Sequence, residues 1–151
     1  MDDALRLPTC SIGRAMEILG ERWTLLILRE CFYGVKRFSV MQRNLGIARN
    51  ILSARLQLLV RSGILERRRY QEEPERFEYK LTEKGLGLYP AVVAIMRWGD
   101  EHLSEEGPPV VLRHSCGHLA DPTLVCAHCR EELDPHAVTP EPAAVPALAG
   151  R

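Results

Sequence analysis

At 151 residues, with 46% hydrophobic and 26% charged residues, the chain has the make-up of an ordinary globular protein with one main domain and room for a small appendage. No apolar run approaches the ~18 residues of a membrane span, and the acidic start Met1-Asp2-Asp3 leads into no long apolar segment, so neither a span nor a secretory signal is expected and a cytoplasmic location is. Twenty basic and twenty acidic residues cancel to a formal net charge of zero, which excludes a chain that is basic or acidic throughout.

Residues 1–9 read as a loose arm. Ser11 is placed to cap a short helix in which Ile12, Ala15, Met16, Ile18 and Leu19 recur at helical spacing, with Gly20 as its stop. A second helix is predicted over roughly 22–32, with Trp23, Leu26, Ile27 and Leu28 apolar and Gly34 breaking it. Cys31 on that helix reads as a core filler, since a free cysteine behaves as a small hydrophobe. Two short amphipathic pieces follow. Phe38, Met41 and Leu45 share one face of the first; Ile51 or Leu52, Leu56, Leu59 and Val60 share one face of the second, over Arg49 to Arg61. Gly46 between them fits the tight turn of a helix-turn-helix, and Gly63 closes the second piece.

Ile64 to Tyr70 and Phe77 to Leu81 are strand candidates around the polar tip Gln71-Glu72-Glu73-Pro74-Glu75, which makes a hairpin that reads as a wing. Thr82 is placed to cap a long helix over about 83–104, apolar at Leu88, Val92, Ile95 or Met96, and Leu103, and kinked at Pro90. Both Trp23 and Trp98 are expected in the core. Gly107-Pro108-Pro109 reads as a linker, and the Pro/Ala-rich end has the composition of a disordered tail. The fold class is therefore mainly α with a small β-hairpin wing (α+β): a winged helix-turn-helix domain over 1–107, a small zinc-ribbon-like Cys/His module over 108–137 and a disordered tail over 138–151.

The neutral total hides a polarised middle. Between Lys36 and Arg69 lie nine basic residues and one acidic one, a surplus of eight that the rest of the chain cancels. Such a field suits a polyanion, and double-stranded DNA is the expected partner. On the second helix of the pair, Arg49, Asn50, Ser53, Arg55 and Gln57 alternate with the apolar stripe. Arginine, asparagine and glutamine form paired hydrogen bonds with guanine or adenine edges. Ser39, Gln42 and Arg43 on the first helix, with Lys36 and Arg37 at its start, are better placed for phosphates, which position a protein without reading sequence. Arg67, Arg69 and Arg76 flank the wing, where arginine meets backbone or a narrow minor groove. Alternation along a strand means that Arg67, Arg68 and Arg69 cannot all face one partner.

The run Phe38-Ser39-x-Met41-x-Arg43-x-Leu45-Gly46-Ile47-Ala48, then Leu52-Ser53-x-Arg55-Leu56-x-x-Leu59 and Gly63-Ile64-Leu65, resembles the HxlR family of bacterial transcription regulators. So do Cys10 with Glu21 to Glu30 upstream, and Tyr79-x-Leu81-Thr82-x-x-Gly85 with Trp98-Gly99 downstream. The resemblance covers about 9–104. It implies a winged-helix fold, a homodimer formed through the terminal helices, and a palindromic operator. It also implies a role for Cys10, since some HxlR-like regulators sense oxidants through an N-terminal cysteine; the positive end of a helix favours a thiolate there, and Arg14 lies one turn on. A small ligand lodged between the winged domain and the long helix is the alternative signal.

Three of the five cysteines fall between positions 116 and 129. Cys126-Ala127-His128-Cys129 is a knuckle whose spacing brings two sulfurs to one ion; Cys116, followed by Gly117, supplies a third, and His118 or His114 the fourth. Both His-Cys spacings are one residue shorter than the usual gap. Structural Zn2+ is thus the expected cofactor, and longer HxlR members carry a similar tail. A Cys116–Cys126 or Cys116–Cys129 disulfide is the other reading. No nucleophile triad, phosphate loop or acid pair stands out, so no enzymatic activity is expected; the reading set against a DNA-binding regulator is a zinc-ribbon interaction adaptor that uses the basic domain as a docking surface.

Overall fold

The computed structural model describes residues 10–141; the expected arm over 1–9 and residues 142–151 of the expected disordered tail lie outside the described residues. These form six helices and one antiparallel hairpin: α1 (Ser11–Leu19), α2 (Arg22–Phe32), α3 (Phe38–Leu45), α4 (Arg49–Arg61), β1 (Leu65–Gln71), β2 (Arg76–Leu81), α5 (Glu83–Leu86) and α6 (Tyr89–Leu103). Among the described residues no helix is long and apolar enough to cross a membrane.

Local chemistry sets most of these boundaries. Glu21 caps α2 by accepting the Trp23 amide (3.1 Å). Gly46 ends α3 with φ 62°, a conformation that strains a residue with a Cβ, and so turns the chain sharply into α4. Thr82 caps α5 as expected: its hydroxyl accepts the Gly85 amide (3.1 Å) and donates to the Gly63 carbonyl (2.6 Å), which joins the end of α4 to the start of α5. Gly85 is buried there, and a side chain does not fit, since a Cβ would lie 2.2 Å from the Ile64 carbonyl oxygen.

Two boundaries differ from expectation. Ser11 does not cap α1; Cys10 is the N-cap, its carbonyl accepting the Arg14 amide (3.0 Å), and Ser11 is the first helical residue. The single long helix over 83–104 is two. Pro90 has no N–H to give the carbonyl four residues back, so the helical ladder cannot run through it. The chain instead closes α5 at Gly87 and restarts with Pro90 in the first turn of α6, where a missing donor costs nothing.

The core is built from α2 (Ile27, Leu28, Cys31), Met41 of α3, Ile47, α4 (Leu52, Leu56, Leu59) and the entry to the wing (Ile64, Leu65). Of the pair Ile51 or Leu52, Leu52 is the buried one and Ile51 is exposed. Each fully buried leucine contributes roughly 1.5–3 kcal/mol of transfer free energy. One buried carboxylate sits among them: Glu30 accepts Arg29 Nη2 (2.9 Å) and Asn44 Nδ2 (2.7 Å), so a satisfied polar group ties α2 to the last turn of α3. Trp23 is half-buried against this core, but Trp98 is exposed, contrary to expectation, because α6 turns Val93 inward and carries Trp98 on its outer side.

The hairpin pairs Leu65 with Leu81, Arg67 with Tyr79 and Arg69 with Phe77 on one face, and Glu66 with Lys80 and Arg68 with Glu78 on the other. The segment before α3 adds to its outer edge: the Tyr79 amide donates to the Lys36 carbonyl (2.8 Å), and Arg37 bridges to Glu78. Beyond α6, the C-terminal module leans on that helix through Arg97, which pairs with Asp121 (3.2 Å) and donates to the Pro122 carbonyl.

Burial, reinforced by the charge of Glu30, pushes the Cys31 thiol up to about 12. The unfolded chain releases that proton near the ordinary thiol pKa of ~8.5, while the folded chain keeps it, so stability is lost as pH climbs from there towards 12. Urea unfolding across this range should give a falling midpoint for the native chain, and a shallower fall for Cys31→Ala, despite the lower starting stability of that variant.

Candidate nucleic-acid interface

Burying Leu52, Leu56 and Leu59 fixes the rotation of α4 and with it the residues that face out. Arg49, Asn50, Gln57 and Arg61 are exposed and Ser53 is half-exposed along its outer edge. Ser53, Gln57 and Arg61 line one concavity together with Arg67 and Tyr79 of the wing, so the outer edge of α4 and the Leu65-bearing face of the hairpin form a continuous surface. Ser39 and Arg43 are exposed on α3, Gln42 is half-buried, and Lys36 and Arg37 are exposed at its start beside Glu78.

Aromatic rings hold several of these guanidinium groups. Arg37 lies over Tyr70 (5.0 Å to the ring centre), Arg49 over Phe38 (5.3 Å) and Arg67 over Phe77 (3.5 Å). Stacking uses the flat face of the guanidinium and leaves its in-plane N–H groups directed outward, where a phosphate oxygen or a base edge can accept them.

Ion pairing then sorts the basic residues. Arg68 is engaged by Glu66 (2.9 Å) on the opposite face of the hairpin. Arg69, on the same face as Arg67, is held at the tip by Glu72 (3.7 Å) and Glu75 (3.5 Å). Glu78, bonded by Lys80 and close to Lys36 and Arg68, is held below the usual carboxylate range and stays charged. Among the described residues no carboxylate lies within ion-pair distance of Lys36, Arg37, Arg43, Arg49, Arg61, Arg67 or Arg76, a set that holds six of the eight basic residues predicted as contacts.

Arg55 departs from the prediction. It lies two positions beyond Ser53, about 200° round a helix of 3.6 residues per turn, which takes it to the other flank of α4. There it is half-buried and pairs with Glu21 (3.6 Å) at the start of α2. Arg61 is the converse. It lies in the basic run between Lys36 and Arg69 without a predicted contact, and it stands beside Gln57 and Arg67. Spacing alone would have found it, since it lies eight residues after Ser53, on the same helical face.

Cys10 is half-buried at the N-terminus of α1 and Cys31 is buried as expected; all five cysteines are free thiols, so neither disulfide forms. In the C-terminal module, Cys116 and Cys129 are exposed and Cys126 is half-exposed. Among the described residues, no three His, Cys, Asp or Glu side chains converge in an arrangement ready to hold a metal ion.

The family described as HxlR-like helix-turn-helix matches residues 18–107. An uncharacterised HTH-type transcriptional regulator of Mycobacterium tuberculosis is 58% identical over 134 residues, 87% of this chain and 85% of that protein. The crystal structure of PA1607, a candidate transcription factor, superimposes with a TM-score of 0.80 at 31% identity, over 91% of this chain and 98% of the other. The redox regulator HypR in its reduced form gives 0.58 at 29% identity, over 62% and 93%. The reduced form of the transcriptional regulator YodB from B. subtilis gives 0.54 at 31%, over 66% and 96%.

Each phosphate contact contributes about 0.9 to the slope of log affinity against log salt. Anisotropy titrations on duplex DNA over a salt series should therefore show Arg61→Ala and Arg67→Ala each flattening that slope by about 1. Arg55→Ala should leave the slope unchanged and lower the unfolding midpoint instead.

Proposed function

The chain belongs to the HxlR-like helix-turn-helix family of DNA-binding transcriptional regulators, and on that premise we propose that it acts as a homodimer that reads a palindromic operator. The observation that carries this reading is the shared surface of α4 and the wing, where Ser53, Gln57 and Arg61 meet Arg67. In each subunit the outer edge of α4 enters the major groove, with Arg49, Asn50, Ser53 and Gln57 at base edges. Ser39, Gln42 and Arg43 of α3 and the pair Lys36 and Arg37 take phosphates. Arg67, Arg69 and Arg76 carry the wing along the adjacent backbone. As a member of this family the chain is a regulator and not an enzyme.

The dimer rests on the two terminal helices. Ile12 on α1 is 72% exposed, and Ile95, Trp98 and Leu103 on α6 are 55%, 57% and 71% exposed. Exposed apolar side chains this large on the terminal helices fit a surface covered by a second copy. Two-fold symmetry then lets two half-sites of modest affinity add. For the signal we assign Cys10. It sits at the positive end of α1, so oxidation there alters the first element of the same terminal surface and with it the spacing of the two reading heads.

Three measurements test this. A mobility-shift assay with the DNA upstream of its own gene should give salt-dependent binding that an unrelated duplex does not compete away; binding indifferent to sequence overturns the operator. Trp98→Glu should turn a dimer into a monomer by sedimentation and weaken binding to a two-half-site duplex at least tenfold, with little change on a single half-site. Cys10→Ser should abolish any loss of DNA binding on treatment with peroxide; an unchanged response removes Cys10 from the switch.

A further inference from the structure

Two reverse turns in the C-terminal module follow one design. In the second turn the Cys126 amide donates to the Glu131 carbonyl (2.9 Å) and the Arg130 amide donates back to the Cys126 carbonyl (2.8 Å). Arg130 takes a left-handed φ of 67°, the one non-glycine among the described residues to do so, and Val125 bridges Glu132 outside the turn. In the first turn the His114 amide donates to the His118 carbonyl (2.9 Å) and the Gly117 amide donates back to the His114 carbonyl (3.0 Å). Gly117 has φ 91°, and Arg113 bridges Leu119 outside.

Laying one set of bonds on the other pairs His114 with Cys126, Cys116 with Cys129, Gly117 with Arg130 and His118 with Glu131. The first turn is one residue shorter, and the longer reach of an imidazole than of a thiol makes up the difference. In the first turn the Cys116 amide also donates to His114 Nδ1 (3.3 Å). Each tight loop thus carries two ligand-type residues, the second just before a left-handed residue, as suits a chelating turn.

Apart from the Arg97 contact with α6, little holds the module. From Glu105 to Glu141 no residue is buried, and Leu119, Leu124, Val125 and Leu133 are all exposed. A segment of this size without a hydrophobic core of its own gains most from a cross-link, and a metal held by its thiols supplies one.

We propose that His114, Cys116, Cys126 and Cys129 form one tetrahedral, structural Zn2+ site, with His118 a turn-closing residue and not a ligand. Two sulfurs come from the Cys126 turn, and a nitrogen and a sulfur from the His114 turn. The lone pair of Nδ1 that now accepts the long bond from Cys116 is the one His114 offers to the ion. Because these side chains do not yet converge, ligation draws the two turns together. Four protein ligands leave no open position, so the site is structural and not catalytic.

The test uses the full chain and the metal alone. Protein purified without chelator should carry about one zinc per chain, and cobalt exchanged for zinc should give the visible d–d bands and sulfur charge-transfer absorption of a tetrahedral thiolate site. His114→Ala and Cys126→Ser should lose the metal and the bands, while His118→Ala keeps both. An unchanged thermal transition of the winged domain in each variant confirms that the chain still folds. Absence of zinc and of cobalt bands in the native chain overturns the site. Loss in His118→Ala with retention in His114→Ala overturns the ligand assignment. Neither result depends on whether the chain binds an operator.

Discussion

The burial of three leucines on α4 against Ile27 and Leu28 of α2 is the constraint from which the rest of the molecule follows. A helix with one apolar stripe has one rotation in which that stripe is dry. Once Leu52, Leu56 and Leu59 are fixed inward, the polar residues between them have no further freedom of choice. Asn50, Gln57 and Arg61 face out, Ser53 lies beside them, and Arg55 is carried to the far flank, where Glu21 meets it. The same burial sets the direction in which the chain leaves α4 and so where the wing stands. Glu30 performs the corresponding task one helix earlier. Its two hydrogen-bonded partners fix the end of α3 on α2, and the left-handed Gly46 converts that fixed end into a fixed start for α4.

Charge on this frame is graded by local partners. The hairpin carries its arginines in alternation, and the acids within and around it neutralise the outward-facing Arg68 and the tip, leaving Arg67 on the α4 side without a carboxylate. Aromatic rings take the flat faces of Arg37, Arg49 and Arg67 and limit their rotamers before any nucleic acid arrives. An arginine already ordered loses less entropy on forming a salt-sensitive contact. The surface is therefore partly organised in advance, although its net charge is offset elsewhere in the chain.

Much of this was legible in the sequence because it is local. The stripe on α4, the turn at Gly46, the Thr82 cap and the alternation along the hairpin all depend on residues within a few positions of one another. The misreadings came where the deciding partner is distant or where two local rules compete. Arg55 looks like its neighbours until Glu21, thirty-four residues earlier, is placed beside it. Pro90 permits either a kink or a break, and here the chain breaks, closing α5 at Gly87 and placing Pro90 in the first turn of α6. Trp98 is large and apolar, which argues for burial, but α6 packs on α2 with Val93 as its buried residue, and Trp98 falls on the outer side.

Arg97 gives α6 a second occupation. Its guanidinium grips Asp121 and Pro122 of the appendage, while Ile95 and Trp98, on the same rod and only one turn apart in sequence, are open to solvent. By helical spacing the Arg97 contact and the open apolar pair lie on different sides of one helix. Covering Ile95 and Trp98 would therefore leave the grip on the appendage in place, and one short helix can serve two neighbours at once.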